Sequence, residues 1–202
     1  MTVRTYAGLA EEIFCAPARL GAVRLVTIDG PSGSGKTTFA GRLVAALSAR
    51  GSTAQVQLET LYQGWTLEGA WRRLDEYVLE PLAAGWDGGF HPFDWASGSW
   101  SPSWCAVPVS EVLVVEGCGS SPRAADKLAS LQVWIEAPTS LALARGLARP
   151  GTDLANRLET WKREEAQYFT EQDSRQRADL LVDGNPAQLP GFDPEIAFST
   201  LT

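Results

Sequence analysis

The chain has 202 residues, enough for one domain with a full core. Lys+Arg 17 against Asp+Glu 24 gives a net charge of −7, which excludes a broad cationic nucleic-acid footprint and favours a small-molecule partner. No apolar run approaches the roughly 18 residues of a membrane span, and no signal-peptide order opens the chain, so a cytoplasmic protein with no membrane partner is expected.

Taken in chain order, residues 5–16 carry Leu9, Ile13 and Phe14 at helical spacing, and that helix ends near Pro17 to cover a sheet edge. Cys15, like Cys105 and Cys118, belongs to no paired metal or disulfide spacing, and all three are read as reduced thiols. Ala22 to Ile28 reads as a buried strand, and Thr38 to Leu47 as an amphipathic helix. Between them, Gly30-Pro-Ser-Gly-Ser-Gly-Lys36-Thr37 satisfies G-x-x-x-x-G-K-S/T, with an additional glycine at Gly33. Such glycines let consecutive backbone N–H groups turn inward around a phosphate, Lys36 adds a mobile positive charge, and the Thr37 hydroxyl can ligate Mg²⁺. Strand, glycine loop and helix start follow in that order, so the helix presents its positive end to the anion. Gly30, Ser32, Gly33, Ser34, Gly35, Lys36, Thr37 and Thr38 are therefore candidate binding residues for ATP, with Mg²⁺ at Thr37.

Beyond this loop, Arg50-Gly51-Ser52 ends the helix, and Thr53 to Leu58 alternates as a second strand. Leu67 to Ala84 places Trp71, Leu74, Val78 and Leu82 on one helical face, and Gly85 closes it. Gly85 to Ser110 breaks the rhythm: it holds Trp86, Trp95, Trp100 and Trp104 among Gly, Ser and Pro, without a helical period. A connection of that length is either functional or an independent hairpin, and its aromatic residues either stack on a base or sugar or cap the sheet as a satellite core. His91, the only histidine, has no companions at metal or triad spacing and is read as a surface or packing residue.

Val112 to Val115 is a third strand, and Glu116 just after it can hold Mg²⁺ directly or through water. Leu131 to Ile135 is a fourth strand, Thr139 to Ala148 and Leu154 to about Thr170 are helices, and Ala178 to Val182 is a fifth strand. Strands alternating with helices imply right-handed crossovers and a parallel sheet covered on both faces, with ligands at the carboxyl ends of the strands. The expected fold is thus α/β: a P-loop NTPase three-layer sandwich with a mostly five-stranded parallel sheet, in a single domain over 1–202. Arg145 and Arg149 lie one turn apart before Pro150-Gly-Thr152, and Arg157 follows. This fits a short lid over 149–157 whose guanidinium groups fold over a transferring phosphoryl group, or alternatively a solvated basic helix face. The chain has no N-K-x-D guanine reader, and its third strand does not end in the Asp-Glu of motor ATPases.

Several stretches together are similar to the uridine kinase and nucleoside kinase branch of the P-loop kinases, in its small actinobacterial-type form. They are Gly30 to Thr38, Leu58-Glu-Thr-Leu-Tyr-Gln-Gly-Trp65, Asp94-Trp95, Val115-Glu-Gly117, Arg145 to Arg149 and Ala178 to Val182. The resemblance implies an ATP-dependent kinase acting on a nucleoside-like small-molecule acceptor, with Lys36, Glu59, Arg145 and Arg149 as catalytic residues. It also implies Tyr62, Asp94 and Trp95 as acceptor contacts. Glu59 stands where uridine kinases carry an acceptor-activating Asp; it is either that base or an ordinary exposed strand-end carboxylate. Ala142 stands where an Arg is usual, and Pro150 where an Asp commonly follows the lid. Two other functions stay open: a nucleoside monophosphate kinase, since Ile28-Asp-Gly-Pro31 is similar to cytidylate kinase, and a non-catalytic ATP-binding switch. The sequence leaves a homodimer open.

Overall fold

The computed structural model describes residues 2–148, 154–186 and 192–201. It opens with a short strand β1 (Val3–Thr5) and helix α1 (Tyr6–Cys15), whose first turn is capped by the Thr5 hydroxyl accepting the Gly8 N–H at 3.1 Å. Then follow β2 (Arg24–Asp29), α2 (Lys36–Ser48), β3 (Thr53–Gln57) and a 3₁₀ turn over Leu58–Leu61. A helical stretch runs as α3 (Ala70–Leu74), a π-turn over Asp75–Leu79, and α4 (Glu80–Ala83). The sequence reads this stretch as one regular helix, and the π-turn is the difference. Pro81 has no N–H for the carbonyl of Tyr77 and its ring crowds that turn, so the helix widens just before it. Leu74, Val78 and Leu82 nevertheless stay on one fully buried face.

The stretch without a helical period forms paired strands. β4 (Gly88–Phe90) pairs antiparallel with β7 (Cys105–Val107), and β5 (Phe93–Asp94) with β6 (Ser99–Trp100), giving one interrupted hairpin. Its root joins the core through Phe90 and Val107, while its tip exposes Trp95. His91 is a packing residue of this hairpin: its ring lies 5.2 Å from that of Trp104, and its Nδ1–H donates to the Ser103 carbonyl at 3.2 Å.

The chain continues through β8 (Val112–Glu116), a 3₁₀ turn at Arg123–Lys127, β9 (Ala129–Glu136), α5 (Thr139–Leu147), α6 (Leu154–Gln172), α7 (Ser174–Arg177), β10 (Leu180–Asp183) and β11 (Ala197–Ser199). The central sheet has the order β10-β9-β2-β8-β3, parallel throughout. Its middle strands are buried on both faces, which is why they read as continuous apolar runs. Alternation splits them between two cores: Val26, Ile28, Val112 and Val114 pack with α1 and α2, while Leu25, Leu113 and Val115 pack with α3, α4 and Trp161 of α6. The three-layer α/β sandwich is therefore observed. β1 and β11 pair antiparallel, and a bridge from Val182 to Thr200 joins them to the edge at β10. Three-residue strands carry too little periodicity to be read from sequence, and the sequence marks neither of these two.

Candidate active site

β2 ends in Asp29, whose buried carboxylate accepts the backbone N–H groups of Gly30 at 2.7 Å, Gly119 at 2.9 Å and Ser121 at 3.0 Å. Asp29 thereby ties the phosphate-binding loop to the loop after β8. Burial pushes its pKa up to about 6, against the lowering effect of those hydrogen bonds and of Lys36. Within the phosphate loop, glycine is required at Gly33: its φ is +81°, and a Cβ there would stand 2.1 Å from the carbonyl oxygen of Ala142 on α5. Ala142 is buried against the loop, so a long side chain at that position would have to displace the packing of α5.

α2 starts at Lys36, directly after Gly35, so its N-terminus opens onto the loop. Lys36 Nζ donates to the carbonyls of Gly30 at 2.7 Å and Pro31 at 3.0 Å. Burial works to lower its pKa, but the carboxylates of Glu165, Asp29 and Glu116 act against burial, and the ammonium is held above its ordinary value. The Thr37 hydroxyl donates to Glu116 Oε1 at 3.1 Å, and Glu116 is buried at the end of β8. A hydroxyl and a carboxylate side by side are hard oxygen donors, the set that Mg²⁺ takes together with waters and phosphate oxygens. Thr37 and Glu116 thus fit the ion; no cluster of three or more His, Cys, Asp or Glu at metal-holding distance occurs among the described residues.

These groups open into a cavity of about 380 Å³. Of the expected residues, Ser32, Gly33, Gly35, Lys36, Thr37, Thr38, Glu59, Tyr62, Glu116 and Arg145 line it. Gly30 and Ser34 do not: Gly30 lies at the foot of the loop, and Ser34 is fully buried. Glu59 sits exposed on the 3₁₀ turn after β3. Arg145 reaches in from α5, donating to the carbonyls of Gly184 at 2.9 Å and Gly33 at 3.4 Å. Tyr62 is a wall of this cavity whose hydroxyl is committed to the Cys118 carbonyl at 2.7 Å. Arg149 and the lid residues through 153 lie outside the described residues.

The other two expected acceptor contacts lie elsewhere. Trp95 lines a second cavity with Trp65, Phe93, Trp100, Gln63 and Arg157. Asp94 lines neither cavity: its exposed carboxylate accepts the Ala96 N–H at 2.9 Å and the Ser97 hydroxyl at 2.8 Å, closing its own hairpin turn. Those two bonds, the Ser97 hydroxyl first, hold its pKa below the usual value.

α6 brings residues that sequence reasoning missed. Trp161, 6% exposed, lines the main cavity, and its ring lies 5.5 Å from that of Tyr62 and 5.9 Å from that of Trp65. Its Nε1–H donates to Ser32 Oγ at 2.7 Å and Glu165 Oε1 at 2.6 Å. Glu165, 2% exposed, also accepts the Ser32 N–H at 2.9 Å, the Ser32 hydroxyl and the Cys118 thiol at 3.1 Å. Lys162 completes the set, donating to the Ser32 carbonyl at 2.8 Å with its ammonium 3.1 Å from Glu165. Burial would raise the Glu165 pKa, but Ser32, Lys162, Cys118 and Lys36 hold it below the usual value. Burial pushes the Cys118 thiol up to about 12, so it stays protonated. The one available signal was the i, i+4 spacing of Trp161 and Glu165 on a helix that is otherwise strongly charged.

A glycine-rich phosphate loop between β2 and α2, a five-stranded parallel sheet of this order and helices on both faces define the P-loop kinase fold. Two solved structures share it. A possible uridine kinase from Bacillus stearothermophilus superposes with a TM-score of 0.62 at 17% identity, over 86% of this chain and 95% of that one. A candidate fructose transport system kinase from Silicibacter sp. TM1040 also gives 0.62, at 21% identity, over 82% of this chain and 95% of that one. No protein-family model and no curated protein sequence matches the chain.

Proposed function

We propose that this protein is an ATP-dependent kinase that transfers the γ-phosphoryl group to a hydroxyl of a nucleoside-like acceptor. The observation that carries the reading is that one cavity holds both the phosphate grip, Lys36 with Thr37 and Glu116, and a carboxylate suited to receive an acceptor proton, Glu59. The loop amides and Lys36 bind the phosphates, and Arg145 offsets the charge that spreads over the transferring group. Glu59 orients the acceptor hydroxyl and takes its proton. Thr37 and Glu116 would hold Mg²⁺, which would supply divalent positive charge to the phosphates. The aromatic cavity of Trp65, Trp95 and Trp100 offers flat apolar faces of the kind that stack on a base.

Arg157 in that second cavity favours one variation: its guanidinium suits an acceptor that already bears a phosphate, as a nucleoside monophosphate does. The deciding experiment measures ADP release from Mg-ATP against nucleosides, nucleoside monophosphates and sugars, with Lys36→Ala as the blank. A hit abolished by Lys36→Ala names the acceptor class. Tight ATP binding without any acceptor-dependent turnover would instead favour a nucleotide-binding switch.

A further inference from the structure

A phosphoryl group held next to an acceptor alcohol is also exposed to water, and water yields the same ADP. In transfer, the acceptor oxygen attacks the γ-phosphorus, the bond to the bridging oxygen breaks and ADP leaves with the electron pair, while the alcohol proton passes to a base. In hydrolysis a water oxygen takes the acceptor's place, and the products are ADP, inorganic phosphate and a proton. A kinase therefore gains from apolar walls around the gap where transfer occurs.

Trp161 has the placement and chemistry of such a wall. It lines the cavity that holds Lys36 and Glu59, donates to Ser32 of the phosphate loop, and packs on Tyr62, three residues after Glu59. An ordered water needs about two to four polar partners. The indole has one polar atom, Nε1, and that N–H is committed to Ser32 Oγ and Glu165 Oε1. The rest of its surface is carbon and offers water no hydrogen bond.

Glu165 fixes this wall from behind. Its carboxylate does not line the cavity, whereas three of its donors, Ser32, Cys118 and Trp161, do. One buried carboxylate thus holds both the indole and the Ser32 N–H of the phosphate loop, and Lys162 bridges that carboxylate and the Ser32 carbonyl. Trp65, edge-to-face with the indole at 5.9 Å, leads on to Trp95 at 5.5 Å in the second cavity, so the wall is continuous with the aromatic surface of the hairpin tip.

We propose that Trp161 is a specificity-determining residue that excludes water from the transferring phosphoryl group, and that Glu165 is the positioning residue that holds it there. The inference rests on the kinase reading, and two separate readouts distinguish their failures. Trp161→Leu, Trp161→Phe and Glu165→Gln are compared with the unaltered full-length chain by measuring phosphorylated acceptor and inorganic phosphate in parallel. Trp161→Leu raises the ratio of phosphate to phosphorylated acceptor about tenfold, a change of about 1.4 kcal/mol in barrier difference. Trp161→Phe, which keeps an aromatic wall but loses the N–H, and Glu165→Gln, which loosens the anchor, raise it less. A parallel fall of both rates, with the ratio constant, overturns the inference and leaves the kinase reading intact. Absence of phosphorylated product from the unaltered chain with every acceptor refutes the kinase reading instead. Acceptor-independent phosphate release then decides the inference, and no rise in Trp161→Leu overturns it. Circular dichroism verifies folding; should the Leu variant not fold, Trp161→Phe carries the same test.

Discussion

Replacing Asp29 by Asn should change how stability depends on pH, because burial moves its pKa from 3.8 to about 6. A raised folded-state pKa means that the folded chain binds a proton more tightly than the unfolded chain does. The stabilisation is fully present below 3.8 and is lost as pH rises through about 6. The shift is worth about 3 kcal/mol in total, of which about 2 kcal/mol is present at pH 4.5 and almost none at pH 7. Asn cannot titrate. Its amide also faces the Ser121 N–H that the carboxylate accepts, so the variant carries a pH-independent penalty of about 1–3 kcal/mol. Urea unfolding of both proteins from pH 4.5 to 7 separates the two effects. The stability gap should be about 2 kcal/mol wider at pH 4.5 than at pH 7. Parallel stability curves would show that the three backbone N–H groups fully offset burial and that Asp29 titrates normally.

Glu59→Gln should lower acceptor-dependent turnover about 10²- to 10⁴-fold and leave ATP affinity nearly unchanged; unaltered turnover with the true acceptor would remove Glu59 from the mechanism. Glu116→Gln should raise the Mg²⁺ concentration for half-maximal turnover about 10- to 100-fold, and an unchanged titration would place the ion elsewhere. With iodoacetamide at pH 8, the exposed Cys15 and Cys105 should alkylate, while Cys118, buried and with its pKa near 12, reacts only after denaturant is added. Mass spectrometry showing early alkylation of Cys118 would contradict its burial.

What could be read from the sequence was what local spacing encodes. The phosphate loop sits within eight consecutive positions, and the strands of the parallel sheet are short apolar or alternating runs, so both needed only short windows. The support of that loop is non-local: Glu165 meets Ser32 across 133 residues, and Asp29 meets Gly119 and Ser121 across 90 and 92. No periodicity in one stretch reports on such a distant partner. Asp94-Trp95 shows how adjacency in sequence hides a difference in placement. The two residues are adjacent, yet strand alternation and the turn send the Trp95 ring into a cavity and spend the Asp94 carboxylate on the hairpin's own backbone.

The charges around the loop explain why one lysine sits among so many carboxylates. Lys36 is held above its ordinary pKa with Glu165, Asp29 and Glu116 among the causes. Such a group would repel the phosphates of ATP if all three charges faced them. They do not: Asp29 is spent on three backbone N–H groups, and Glu165 on Ser32, Trp161, Cys118 and Lys162. In the proposed kinase, those two carboxylates would act on bound phosphates only through the groups they orient. Glu116 alone lines the cavity among these three, with the Thr37 hydroxyl beside it, so of the three it is the carboxylate that a divalent cation would cover. The acidic residues thus divide into two that build the loop and one that suits the metal, and burial behind the lining marks the difference.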